Sequence, residues 1–220
     1  MKQTKIDWCD CTVNPVVGCK NGCEYCYGKK INDRFKIIPC WREPQFFPER
    51  LKQLKSKKPK SVFMDSMSDI GWWEREWVDE VFNEIRKNKQ HNYIFLSKCS
   101  KGYLSDKKKH DLMNCWFGLS VTKQESIKLL TRTWFDFLSV EPILEPINFG
   151  WEKEWKRDIQ LVIIGAETGN RKNKVIPKKE WIDDIVRQCD ENDIKVFMKE
   201  SLQEIMGDDF RQDKLPWDCH

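Results

Sequence analysis

Short, nearly continuous runs of apolar residues recur along the chain, with longer polar stretches between them. Each run is a few residues long and rich in Val, Ile and Phe, which is typical of strands buried on both faces. The runs cover residues 12–18, 61–66, 92–98, 115–121, 135–142, 160–167 and 195–201. This pattern predicts strands of a parallel sheet.

Between several of these runs, apolar residues repeat at the spacing of amphipathic helices. Residues 74–88 and 178–192 show this pattern, with Pro177 suited to a first helical turn, and residues 124–134 predict a shorter helix. Alternating strands and helices predict an α/β fold with right-handed crossovers. About six or seven such units favour a partial, open TIM-type barrel, as one domain over residues 1–220.

Polar and charged side chains follow these strands at their carboxyl ends. In a parallel α/β barrel that face carries the active site, and charges placed there are costly unless they are paired or used. The sequence therefore predicts a functional site at this edge. The residues are Asp65, Ser66, Ser68, Asp69, Ser97, Lys98, Ser120, Glu141, Glu167, Lys199 and Glu200.

Composition narrows the class of protein. The chain has 220 residues, of which 40% are hydrophobic, so it can fill a core. It shows neither an apolar run long enough to span a membrane nor a secretory signal, which predicts a cytoplasmic protein without membrane contact. The net charge of +4 permits a nucleic-acid partner without requiring one. For the basic run 52–61, a solvated surface is favoured over a phosphate-binding patch.

Three of the ten cysteines, Cys19, Cys23 and Cys26, lie within eight residues. Clustered cysteines in a reducing compartment indicate metal or redox chemistry. A structural zinc site needs a fourth ligand, which Cys9, Cys11 or Cys40 could supply. A thiol redox site would use only Cys23 and Cys26. An iron–sulfur cluster held by three thiolates leaves one iron open to a further ligand, which explains an unfilled fourth position.

The spacing C-x3-C-x2-C after the first strand, with Tyr25 before the last cysteine, resembles the signature of radical S-adenosylmethionine (SAM) enzymes. Much of the chain is similar to one phage-type family of that superfamily, a family of unknown function that is itself similar to spore photoproduct lyase. The matching segments are TKIDWCDCTVNPVVGC, GCEYCY, FMDSMSDI, FGLSV, FLSVEPILEPI and LVIIGAETGNR.

The resemblance implies a [4Fe–4S] cluster and SAM as cofactors. It implies reductive cleavage of SAM to a 5′-deoxyadenosyl radical that takes a hydrogen atom from the substrate. A reductant protein such as a flavodoxin or ferredoxin would supply the electron.

Carried over residue by residue, the resemblance implies that Cys19, Cys23 and Cys26 are the cluster ligands. The implied SAM-binding residues are Tyr25 by the adenine, Ser68 and Asp69, Lys98 at the carboxylate, Ser120 at the ribose or methionine end, and Glu141 and Glu167 at the adenosine or substrate. Cys9 and Cys11 are expected not to bind this cluster.

The chain also departs from its relatives. Met67 stands where the lyase has a hydrogen-donating cysteine, so the lyase reaction is not expected here. The family's KQWG is KESL, with Lys199 kept, and its GGESG is GAETG at residues 165–169.

The substrate is less constrained by the sequence. Trp72 or Trp73 could stack on a base or pack under the next helix, and Arg171, Lys172 and Lys174 could meet phosphate. A nucleic acid or nucleotide is the first candidate substrate, and a peptide or protein the second. Two further alternatives are a zinc-stabilised nucleic-acid-binding module without catalysis, and a cluster-binding protein that has lost its chemistry.

Overall fold

The computed structural model of the chain describes residues 2–99, 112–130, 135–151 and 159–218. They divide into two compact units. Of the described residues, the first unit contains 2–99, 112–116 and 217–218, and the second contains 117–130, 135–151 and 159–216.

The first unit contains four neighbouring strands in the order β1 (Lys2–Gln3), β2 (Cys11–Thr12), β5 (Ser61–Phe63) and β6 (Asn92–Ser97). Strands β2, β5 and β6 run parallel, and β1 is antiparallel to β2. A separate antiparallel pair joins β3 (Val16–Val17) to β4 (Gln45–Phe46). The unit also contains helices α1 (Tyr27–Phe35) and α2 (Arg75–Lys87), and 3-10 helices at Pro48–Lys55 and Ile70–Trp72.

Helix α2 confirms the helix predicted for residues 74–88. Its apolar stripe buries Val78, Val81, Phe82 and Ile85. The Phe82 ring meets Phe95 of β6 edge to face, with 5.6 Å between the ring centroids. The stripe thus packs against the sheet, which is where most of a helix's stability in a protein comes from.

Trp217, near the end of the described residues, packs in the core of the first unit. The Trp217 side chain is fully buried, and its indole N–H donates to the Trp8 carbonyl at 2.8 Å. The Asn92 side-chain amide donates to the Trp217 carbonyl, also at 2.8 Å. Together these contacts connect three distant parts of the sequence within one core.

The second unit contains four parallel strands. They are residues 117–120 of β7 (Cys115–Ser120), with β8 (Phe137–Val140), β9 (Leu161–Ile164) and β10 (Lys195–Met198). Helices α3 (Lys179–Asp190) and α4 (Gln203–Met206) follow β9 and β10, with 3-10 helices at Gln124–Leu129, Glu200–Leu202 and Gly207–Asp209. One face of the sheet shares a core with α3 through Ile182, Ile185 and Cys189.

The mixed α/β fold with parallel strands is confirmed, and each apolar run from residue 61 onward contains a strand. The run at residues 12–18 forms β2 and β3, which belong to different sheets. Pro15 lies between them and has no N–H for a sheet ladder. The open TIM-type barrel stays a prediction.

Two helix predictions need correction. Pro177 precedes Lys178, the N-cap of α3, and so lies outside the first helical turn. Residues 124–129 form a 3-10 helix instead of an α-helix, and residues 131–134 of that prediction lie outside the described residues. In the described part of the chain, no helix is both long and apolar enough to cross a membrane.

We expect Asp213→Asn to weaken the second unit in a pH-dependent way. Two hydrogen-bonding nitrogens of Arg211 hold the Asp213 carboxylate, which also accepts the Val196 N–H of β10 at 2.8 Å. The Arg211 hydrogen bonds lower the pKa of Asp213. A carboxylate with a lowered folded-state pKa stabilises the fold above its unfolded pKa, and this stabilisation is lost as pH falls through the folded pKa.

Asp213→Asn should therefore reduce the free energy of unfolding by about 1 kcal/mol near neutral pH, after allowance for solvent screening. The difference from wild type should shrink below about pH 4. Urea unfolding near neutral pH and again below about pH 4 measures the difference in unfolding free energy between the variant and wild type. Asp208→Asn is the control, because Asp208 is exposed. A gap that stays constant with pH would contradict this linkage.

Candidate functional site

The three-cysteine loop starts from a backbone held on both sides. The Gly18 N–H donates to the Met67 carbonyl at 3.0 Å, and the Cys19 N–H donates to the Trp41 carbonyl at 2.9 Å. Gly18 has a φ of +111°, and a Cβ there would lie 2.8 Å from the Pro44 Cα. Glycine is therefore required at the entry to the loop.

The three sulfurs are neighbours and are unpaired thiols. Cys19 is buried, while Cys23 and Cys26 are half-buried. Burial raises the pKa of Cys19 to about 12 and also raises the pKa of Cys26. The charges of Cys23 and Cys26 add to the rise at Cys19.

Two of the sulfurs accept backbone hydrogen bonds. The Asn21 N–H donates to Cys19 Sγ at 3.5 Å, and the Lys29 N–H donates to Cys26 Sγ at 3.3 Å. Cys26 is the N-cap of α1, where the helix dipole also favours negative charge. Such N–H groups stabilise thiolates and tune the potential of iron–sulfur clusters.

This donor set fits an iron–sulfur cluster. Among the described residues, no three His, Cys, Asp or Glu side chains lie close enough to hold one metal ion. In a cubane cluster each cysteine binds a different iron, so its ligands need not converge on one point. Cys11, one of the fourth ligands considered for zinc, lies buried in β2 with its thiol 3.8 Å from the Ser61 carbonyl.

Hydrogen bonds to Asp69 connect the cysteine loop to the end of β6. Its buried carboxylate accepts the Gly71 N–H at 2.8 Å, the Ser97 hydroxyl at 2.7 Å and the Lys98 N–H at 2.9 Å. It also accepts the side-chain amide of Asn21, between Cys19 and Cys23. A buried anion needs such compensation, and here each donor comes from this chain.

Asn21 is a site residue that sequence reasoning missed. Its side-chain oxygen accepts the Trp72 indole N–H, and the Cys99 thiol lies 3.5 Å from the same oxygen. Lys20 Nζ lies 5.8 Å from the centroid of the Trp72 ring. The position of Asn21 within the cysteine loop was the only signal that could have indicated it.

The remaining predicted residues of this unit lie around the same edge. Lys98 Nζ is 5.8 Å from the centroid of the Tyr25 ring, and its charge acts on Cys26. The Ser68 hydroxyl accepts the indole N–H of Trp73 at 3.0 Å. Trp73 is buried and meets the Phe95 ring of β6 edge to face, whereas Trp72 is half-buried.

Asp65 is a second buried carboxyl near Asp69. It accepts the Leu96 N–H at 3.1 Å and the Ile70 N–H at 3.2 Å. Burial, with the charge of Asp69 as a further cause, raises the pKa of Asp65 well above its usual range. Asp65 therefore favours its neutral form.

In the second unit, Ser120 of β7 lies beside Ser139 of β8 in the sheet register. Both side chains are buried, and neither hydroxyl has a hydrogen-bond partner among the described residues. Buried hydroxyls normally have one, so this pair indicates a bound water or a ligand group. Ser139 was missed because it lies inside an apolar run.

Both predicted glutamates of the second unit are paired with cations. Glu141 forms an ion pair with Lys199. A Cβ on Gly165 would lie 3.0 Å from Lys199 Cδ, so the glycine leaves room for this pair. Glu167 is buried and holds Arg171 through two hydrogen bonds of 2.7 Å.

These features define a class of protein: an α/β fold with parallel strands, in which a loop of three clustered thiols is fastened to strand ends by a buried carboxylate. The chain belongs to a family described as "Protein of unknown function (DUF5131)", whose model matches residues 3–209. Neither the curated proteins nor the solved structures contain a match to the chain.

We expect Asp69→Asn to destabilise the first unit by about 2–4 kcal/mol, because the new amide would turn an N–H₂ group toward existing donors. Chemical unfolding followed by tryptophan fluorescence measures this loss. Asp33→Asn is the matched control, since the Asp33 side chain is 52% exposed in a surface pair with Lys29. Similar losses in the two variants would contradict the role assigned to Asp69.

We expect the Cys19 thiol of the reduced, metal-free protein to react slowly with iodoacetamide. With a pKa of about 12, its thiolate fraction near pH 8 is roughly a thousandfold below that of an ordinary thiol. The rate should rise about tenfold per pH unit, because each unit increases the thiolate fraction tenfold. Peptide mass spectrometry over time, with glutathione as reference, gives this rate. A slow rate that does not change with pH would indicate restricted access instead.

Proposed function

We propose that the chain is a radical SAM enzyme that binds a [4Fe–4S] cluster through Cys19, Cys23 and Cys26. The observation that carries this proposal is the loop itself. Three neighbouring thiols lie within eight residues, and two of them already receive backbone N–H groups. A three-thiolate donor set leaves one iron for another ligand, which for this class is SAM.

When bound, the cluster and SAM supply an electron and a carbon-centred radical that can abstract hydrogen from a substrate. The chain positions and shields these groups. Lys98 places a cation near Tyr25 and Cys26, where it can meet the SAM carboxylate. Asp69 holds Asn21 and the Lys98 backbone, so we assign it to positioning the loop, alongside the predicted SAM contacts of Ser68 and Tyr25.

Ser120, Glu141 and Glu167 remain predicted cofactor-binding residues. The unpartnered buried hydroxyl of Ser120 supports a ligand contact there, and Ser139 offers a second such hydroxyl. Glu141 and Glu167 would act together with their cations, Lys199 and Arg171, since those pairs are already formed.

A nucleic acid or nucleotide remains the first candidate substrate. Lys172 and Lys174 are exposed, and Trp72 offers a half-buried ring, which supports contacts to phosphate and to a base. A peptide or protein is the second candidate. Three unpaired thiols suit a reducing compartment, so we propose a cytoplasmic enzyme. The phage-type assignment rests on the sequence resemblance alone.

The test is anaerobic reconstitution with iron and sulfide, followed by SAM and dithionite. We expect about four irons per chain, brown colour and release of 5′-deoxyadenosine. Cys23→Ala should abolish both the cluster absorbance and SAM cleavage. Cys40→Ala is the control, because Cys40 is half-buried and lies outside the loop.

The same experiment tests the alternatives. Full activity in Cys23→Ala would overturn the ligand assignment, and a Cys9→Ser/Cys11→Ser double variant with less iron would show that those residues contribute. Colourless protein with bound zinc would favour the zinc module. A full cluster without SAM cleavage, even with candidate substrates, would favour a binding protein without catalysis.

A further inference from the structure

Helix α1 exposes most of its apolar surface. Among its residues, it buries Gly28 and Asn32. Tyr27, Ile31 and Phe35 are 50%, 36% and 63% exposed. Their spacing of four residues puts them along one side of the helix, here called the α1 stripe.

This concentration of exposed apolar residues is unusual for the described surface. Two large apolar side chains outside α1, Met113 and Ile176, are comparably exposed in the described ranges. Single exposed apolar residues are ordinary, whereas a contiguous set on one element marks an interaction site. The stripe is therefore a candidate docking surface.

Basic side chains border the stripe. The segment from Tyr27 to Lys36 contains four basic residues, Lys29, Lys30, Arg34 and Lys36, and one acidic residue, Asp33. Asp33 pairs with Lys29 at 2.6 Å. The Arg34 guanidinium lies 5.1 Å from the centroid of the Phe35 ring, so charge and apolar surface are adjacent. A surface of this kind favours an acidic partner with its own apolar contact area.

The helix is held rigidly next to the cysteine loop. Cys26 is its N-cap, and the nine residues of the helix extend about 13 Å from that point. A Cβ on Gly28 would lie 2.9 Å from the Trp41 ring, so the helix packs tightly there. The Asn32 side chain bonds both the N–H and the carbonyl of Ile38. A partner on the stripe would thus lie beside the loop.

We propose that the α1 stripe docks an acidic one-electron carrier protein, of the flavodoxin or ferredoxin type. This inference rests on the proposed function, since a cluster at the cysteine loop needs a reductant. In each encounter the reduced carrier would lose one electron and a cluster held by Cys19, Cys23 and Cys26 would gain it, with no atom transferred. A three-residue apolar patch with a charged border suits the small, transient interfaces of electron transfer.

Binding of a purified acidic flavodoxin, measured by calorimetry, tests the docking surface directly. We expect Phe35→Glu and Lys30→Glu each to weaken the affinity at least tenfold, and affinity in wild type to fall as salt rises. Ile176→Glu is the matched control, because Ile176 is 70% exposed in the second unit. Lys30→Glu changes an exposed charge and so keeps the test valid if Phe35→Glu disturbs folding.

SAM cleavage driven by flavodoxin is then compared with cleavage driven by dithionite, which needs no docking surface. We expect the ratio of the two rates to fall at least tenfold in Phe35→Glu and Lys30→Glu and to stay unchanged in Ile176→Glu. Unchanged affinity and ratio in both α1 variants would overturn the proposal. So would wild-type binding to anionic vesicles or single-stranded DNA without binding to flavodoxin.

Failure of the proposed function gives a different result. Wild-type protein would then cleave no SAM with either reductant, while calorimetry on the same protein would still show whether α1 binds the carrier. Binding that depends on Phe35 and Lys30 would support the docking surface even then. Absence of binding would overturn it.

Discussion

The buried carboxylate of Asp69 is the interaction on which the organisation of the first unit's site depends. It gathers donors from the cysteine loop, from the turn after β5 and from the end of β6. A buried charge is tolerated only when its hydrogen bonds are complete. The same requirement that keeps Asp69 stable therefore helps to fix the loop against the strand ends, together with the backbone hydrogen bonds that Gly18 and Cys19 donate.

Opposing electrostatic influences act on the thiols of the cysteine loop. Burial disfavours the thiolate of Cys19 and Cys26, while backbone N–H groups and the charge of Lys98 act in the opposite direction at Cys26. A metal cluster would displace the protons and take up these hydrogen bonds. In the second unit, the buried hydroxyls of Ser120 and Ser139 have no hydrogen-bond partner among the described residues.

Helix α1 links this chemistry to the surface. Its first turn is capped by Cys26, and its outer side presents Tyr27, Ile31 and Phe35. The helix stays in place although it buries few apolar side chains, because Gly28 allows close approach to Trp41 and Asn32 satisfies the backbone of Ile38. This anchoring leaves Ile31 and Phe35 exposed, and it leaves the Tyr27 ring half exposed while the Tyr27 hydroxyl donates to the Ser66 carbonyl at 2.6 Å.

The sequence by itself determined the α/β class, the position of each strand from residue 61 onward, helix α2 and the cysteine loop, since periodicity and spacing are local properties. It also placed Asp69, Lys98 and Ser120 at strand ends. Only the tertiary structure showed that the Asp69 carboxylate accepts hydrogen bonds from the protein itself, and that Asn21 contacts both Asp69 and Trp72. It also showed that Glu141 and Glu167 form ion pairs with cationic side chains. The contacts of Asn21 and Glu141 join residues 48 to 58 positions apart, and hydrogen bonds over such separations leave no periodic trace in the sequence. The Glu167–Arg171 pair spans only four positions.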